Sequence, residues 1–205
     1  MFALRRFCIL VLLSFVVFVG FRCHAHHQAV SRIITIGGHV TFEAPQSSIA
    51  AWLFEKAGTS YPGYCCAARV KLTESTVTAA DIRLIDAGLN LDSIDLEDCS
   101  PEALEALTES RSCKTVLLNG ASFGDESIRV LARSPSLEEL MLLFTNVTDP
   151  GLLELKKYPQ LKFLLVYECE SLTVAGASRL LPRLQIEFNK NNLNQISTGI
   201  GGGMF

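Results

Sequence analysis

Between Ala67 and Phe188, hydrophobic and polar positions recur about every 24 residues. The clearest unit begins Leu137-Glu138-Glu139-Leu140-Met141-Leu142 and continues through Thr145, Val147, Thr148, Asp149 and Leu152 to Leu155. One period earlier, the apolar places hold Cys113, Val116, Leu118, Ala121, Phe123, Ile128 and Leu131. One period later they hold Leu161, Leu164, Val166 and Cys169, then Leu172, Ala177 and Leu180 one residue late. The first two copies carry Ala67, Val70, Leu72, Ser75, Val77, Ile82 and Ile85, then Leu91, Ile94, Leu96 and Cys99. Each unit contains two spacings. An alternation of period two predicts a short strand with one face inward. A later pair three apart, such as Leu152 and Leu155, marks one face of a short helix.

These spacings predict parallel strands near residues 70–72, 94–96, 116–118, 140–142 and 164–166. Asp149 before Pro150 reads as an N-cap with proline in the first turn, and Asp125 and Thr78 stand at comparable places. Pro135 and Pro159 stop the helices before the next strand. The unit starting at Leu91 is 22 residues long, with Pro101 after its strand, which predicts a shortened helical side. An extra residue near Glu170-Ser171 predicts a bulged turn, and Leu184, Ile186 and Phe188 alternate as a closing strand. No such unit buries its apolar face alone, so stacked neighbours must share one core. The spacing is that of a leucine-rich repeat, with about five copies. The expected fold is α/β: a right-handed solenoid with parallel strands, an N-terminal cap and an N-terminal membrane segment.

Residues 1–25 are expected to be a signal-anchor or a signal peptide. After Arg5 and Arg6, Phe7 to Phe21 form a 15-residue uncharged apolar run. As a helix it would be roughly 22 Å long, against a hydrocarbon core of ~30 Å. The two arginines favour an N-terminus held in the cytoplasm. Cys23-His24-Ala25 would suit cleavage after Ala25. Both alternatives, single-pass anchor and secreted or periplasmic protein, place the rest of the chain outside the cytoplasm. Residues 26–66 read as a capping segment. Ala29, Ile33 and Ile36 have helical spacing before Gly37-Gly38, His39–Glu43 alternates like a strand, and Ile49, Trp52, Leu53 and Phe54 form a further apolar cluster. Residues 67–188 are the repeat domain. The polar, glycine-rich tail 189–205 is expected to be flexible.

The formal charge of −3 over 205 residues, with no basic stripe carrying aromatics, argues against a nucleic-acid partner. Of seven cysteines, Cys99, Cys113 and Cys169 fall at inward places and read as buried core thiols. Cys65-Cys66 precedes the first repeat, and one of the pair could bond Cys23 or another chain. Three imidazoles in His24–His27, together with Cys65-Cys66, make a metal- or redox-linked envelope protein the alternative function. The acidic run Asp95, Glu97 and Asp98 reads as a solvated strip. No phosphate-binding loop, nucleophile elbow or zinc-protease motif occurs, so no enzyme, cofactor or metal site is expected.

The entry Ile36-Gly37-Gly38-His39-Val40-Thr41-Phe42 is followed by an apolar stretch with tryptophan. Turns such as Thr76-Val77-Thr78-Ala79-Ala80-Asp81-Ile82 and Asn146-Val147-Thr148-Asp149-Pro150-Gly151-Leu152 come next. Together, over residues 5–188, these resemble the membrane-anchored leucine-rich-repeat proteins of planctomycete bacteria. Departures are Ile36 for leucine, Phe42 for tyrosine, and turns without a clear motif in the repeats starting at Leu91 and Cys113. The resemblance implies the solenoid and a membrane location, and transfers no catalytic residue.

Outward places of the strands should form a concave surface. Its early part is polar: Arg69, Lys71, Thr73 and Glu74, then Ser93, Asp95, Glu97 and Asp98. Its later part is apolar and aromatic: Leu117, Met141, Leu143, Phe144, Phe163, Leu165 and Tyr167. Contiguous exposed apolar surface with aromatics marks interaction sites. The expectation is a non-enzymatic module that binds a protein partner of unknown identity through this face. The alternatives are that the tail folds over it, or that the face is merely low in charge.

Overall fold

A computed structural model describes residues 2–43, 67–73, 76–173, 175–176 and 185–189. Helix α1 spans Phe2–Thr35 and leads into strand β1, His39–Phe42. Then come β2 (Ala68–Leu72), α2 (Ala79–Gly88) and β3 (Leu91–Glu97), followed by a 3₁₀ helix over Pro101–Thr108. The chain continues with β4 (Thr115–Asn119), α3 (Asp125–Leu131) and β5 (Glu139–Leu143). Next are α4 (Asp149–Leu152), a 3₁₀ helix over Leu153–Lys157, β6 (Phe163–Tyr167) and β7 (Gln185–Asn189). The seven strands form one sheet in chain order. β2 to β7 are parallel neighbours, and β1 pairs antiparallel with β2. The fold is therefore α/β, and consecutive helical segments pack on one another as a second layer.

The alternating places become vertical stacks. Val70, Ile94, Val116, Leu140, Leu164 and Ile186 are in register, as are Leu72, Leu96, Leu118, Leu142, Val166 and Phe188. From Val70 to Leu164 and from Leu72 to Val166, these side chains are at most 2% exposed. Leucine and β-branched side chains on a sheet face pack against the same residue type one strand away, about 4.8 Å on. Ile82, Ile85, Leu104, Leu107, Ile128, Leu131, Leu152 and Leu155 close the core from the helical side and are all fully buried. The unit after β3, where a shortened helical side is expected, carries an eight-residue 3₁₀ helix that Pro101 opens, with Ser100 as its N-cap.

At the amino-terminal edge, α1 completes the core. Its last turns bury Ala29 and Ile33, Ile36 is buried just past its end, and the helix packs along α2. The approach is close: a β-carbon on Gly88 would lie 2.6 Å from the Ala29 β-carbon. Arg32 Nε donates to Asp81 Oδ1 at 2.7 Å, fastening the two helices. Gly37 ends α1 with φ 70°, a left-handed conformation that costs glycine nothing. The Gly38 amide donates back to the Ile33 carbonyl at 2.9 Å. The expected boundary after residue 25 thus falls inside one continuous helix. Among the described residues, no helix is long and apolar enough to cross a membrane. The expected apolar cluster Ile49–Phe54, Cys65-Cys66 and most of the tail lie outside the described residues.

The turns before the helices differ from expectation. Thr78 is the N-cap of α2, as read, with a reciprocal hydrogen bond to Asp81. Asp125 and Asp149 are not caps; Gly124 and Thr148 hold those places. Instead each aspartate reaches into the following repeat. The Thr148 amide and hydroxyl donate to the two Asp125 oxygens at 2.8 and 2.7 Å. Thr173 does the same to Asp149, also at 2.8 and 2.7 Å. A carboxylate that accepts two donors from the neighbouring unit stitches repeats together. In the local cap, it could satisfy only its own turn.

Candidate functional site

The sheet face opposite the helices carries three rows of side chains. The first is Arg69, Ser93, Thr115, Glu139, Phe163 and Gln185; the second is Lys71, Asp95, Leu117, Met141, Leu165 and Glu187. The third is Glu97, Asn119, Leu143 and Tyr167. Just beyond the strand ends stand Asp98, Gly120, Phe144 and Glu168. All four have positive φ (51°, 122°, 53° and 49°), so the chain makes the same left-handed turn after four successive strands.

The early part of the face is polar, as expected, but not simply solvated. Lys71 Nζ lies 3.0 Å from Glu97 Oε2 and 3.7 Å from Asp95 Oδ2. Asn119 Nδ2 donates to Glu97 Oε1 at 3.2 Å. Asp95 Oδ1 is buried and has no hydrogen-bond partner among the described residues. Burial pushes the Asp95 carboxyl above its ordinary range. Nearby Glu97 adds to this, while Lys71 opposes it. The hydrogen bond to Glu97 holds the Lys71 ammonium above its ordinary range. One ammonium thus serves two carboxylates.

The later part is apolar, but its exposure differs from the expected open patch. Met141, Leu165 and Tyr167 are buried, at 6%, 4% and 4% exposure. Leu117, Leu143 and Phe163 are half-buried. Alternation fixes which way a strand side chain points; how much neighbouring chain covers it depends on the assembled fold. Phe144 is the open member, at 48% exposure. Its ring stands edge-on to Tyr167, with centroids 5.4 Å apart and planes at 76°, a favourable aromatic geometry. A bulky side chain at positive φ is uncommon and carries a cost of roughly 1–2 kcal/mol. Only Gly120, one strand back, hints in the sequence that this place is left-handed.

The histidine tract does not act as a unit. His26 turns inward, 9% exposed, and its ring lies 5.5 Å from that of Phe42, whereas His24 and His27 remain exposed. Burial, with Arg22 and His27 adding to it, holds the His26 imidazole below its ordinary range. Among the described residues, no three histidine, cysteine or acidic groups gather as a metal cluster. Cys99, Cys113 and Cys169 are buried, as their places imply, and burial pushes the Cys113 thiol up to about 12. No family model matches the chain, and no curated protein matches its sequence.

Proposed function

We propose that the chain is a non-enzymatic protein-interaction module, a leucine-rich-repeat solenoid whose outward sheet face binds a partner through its aromatic part. The observation that carries this reading is Phe144. It is a large aromatic held half-open to solvent at 48% exposure, in a left-handed backbone place that favours glycine. The ring gains one edge-on contact, with Tyr167, and otherwise stays open to solvent; strained places of this kind cluster at ligand-contact sites. Leu143 precedes it on β5, and the buried Tyr167 supports its ring. The experiment is site-specific photocrosslinking. A photoreactive phenylalanine analogue at residue 144 is expected to give a discrete protein adduct, and the same analogue at Arg129 on α3 is not. Equal adducts from both positions would defeat the reading.

The same proposal holds the module at the membrane through the amino-terminal part of α1. Leu13, Val17, Phe18 and Phe21 are 56–70% exposed, which suits lipid better than water. Alkaline carbonate extraction of cells is expected to leave the full chain in the membrane pellet. Release into the supernatant would show that α1 does not anchor it.

A further inference from the structure

We infer that the rim at the carboxyl ends of β3 to β6 takes a basic, extended segment of the partner protein; this rests on the interaction reading above. The two ends of the same strands differ in charge. At the amino ends, Lys114 pairs with Asp92 at 3.4 Å and Lys162 with Glu138 at 2.6 Å. Those pairs balance, and Glu139 adds one carboxylate, which accepts from the Thr115 hydroxyl at 3.2 Å. At the carboxyl ends of β3 to β6 stand Glu97, Asp98 and Glu168, with Asn119, Leu143 and Phe144 between them, and no lysine or arginine among the described residues of these ends. Lys71, one row away, already serves both Asp95 and Glu97. Asp98 and Glu168 have no ion pair among the described residues, and Asp98 is exposed.

Carboxylates left without cations beside an exposed aromatic complement a segment bearing lysine or arginine and an apolar side chain. The aromatic face adds its own attraction for a guanidinium or ammonium. Spacing defines the shape of the segment. Asp98 and Glu168 are three strand steps apart, or about 14 Å, and Phe144 lies between them. An extended chain covers that distance in about four residues. Alternate side chains then present cation, apolar group and cation to Asp98, Phe144 and Glu168.

The test uses the full chain in a non-ionic detergent, fluorescently labelled, with detergent alone as blank. The probe is a synthetic peptide in which two arginines flank a leucine, separated by single serines. It is expected to bind, and to bind several-fold more weakly when salt rises from about 50 to about 300 mM. The peptide with glutamates for the arginines is expected not to bind. Asp98→Asn with Glu168→Gln should weaken binding several-fold, and Phe144→Gly should weaken it without lowering the melting midpoint. Absence of binding by the arginine peptide up to about 1 mM, an affinity of only ~4 kcal/mol, would overturn the proposal. So would equal binding of the glutamate peptide. If Phe144→Gly abolishes binding while the charge variant changes nothing, the basic partner falls and the interaction face stands. If neither variant matters, both fall.

Discussion

Asp125 and Gly151 share one space: a β-carbon on residue 151 would overlap the Asp125 carboxylate. That carboxylate accepts from the Thr148 amide and hydroxyl at 2.8 and 2.7 Å. Asp149, Thr173 and Gly176 repeat the arrangement one unit later. Thr-x-x-Gly, read with the aspartate of the preceding repeat, is therefore a joint between repeats, in which glycine clears room for that aspartate.

Gly151→Ala is expected to destabilise the fold, since the added methyl must displace the Asp125 carboxylate. Asp125→Ala is expected to cost about 1.5–3 kcal/mol, as for a hydrogen-bonded charged group. The double variant should cost less than the sum, because Asp125→Ala removes the obstacle that residue 151 meets. Denaturant titration of all four proteins measures the coupling. Strict additivity would show that the two residues do not compete for space.

Leu142→Ala is expected to cost on the order of 2–5 kcal/mol. Its side chain is fully buried between Leu118 and Val166 on the neighbouring strands. No single repeat can close the gap by collapsing, since each side of it is another repeat. An unchanged denaturant midpoint would contradict this placement.

Phe144→Gly is expected to leave the fold intact and to raise its stability by up to about 1 kcal/mol, as relief of a left-handed conformation. The lost edge-on contact with Tyr167 works against this gain. Gly120→Ala should have the opposite effect, because its φ is 122° and the added β-carbon would meet the Asp98 carboxylate. Melting midpoints of the two variants check the pair. A large loss for Phe144→Gly would make that ring a packing element and not a surface one.

Stability should fall as the solution is acidified through about pH 6.5, the ordinary histidine range. Burial, with Arg22 and His27 adding to it, holds the folded pKa of His26 below its unfolded one. In the window between the two values the unfolded chain binds more protons, and lowering the pH favours it. His26→Leu should flatten that part of the profile. A variant with the same acid sensitivity as the parent would locate the effect elsewhere.

Much of the fold is legible in the residue order. A period of two at Val70 and Leu72, or at Leu140 and Leu142, states which side chains face inward. A period of three at Leu152 and Leu155 states the helical face. Gly37 marks the end of α1, and Pro101 the tight segment after β3. These are local rules, because a strand or a helix turn lies within a few residues. The candidate site was legible in composition and direction, from Leu117 to Tyr167, but not in exposure.

What the order of residues determined, then, is the repeat, the inward stacks and the outward rows with their acidic and aromatic parts. Three-dimensional structure alone decided the rest. Asp125 serves Thr148 from 23 residues away, and α1 fastens to α2 through Arg32 and Asp81, 49 residues apart. Met141, Leu165 and Tyr167 are covered while Phe144 stays open at a left-handed turn. The physical reason is common to all three. Side-chain direction follows from the local backbone, whereas contact, cover and charge pairing depend on which distant segments the folded chain brings alongside.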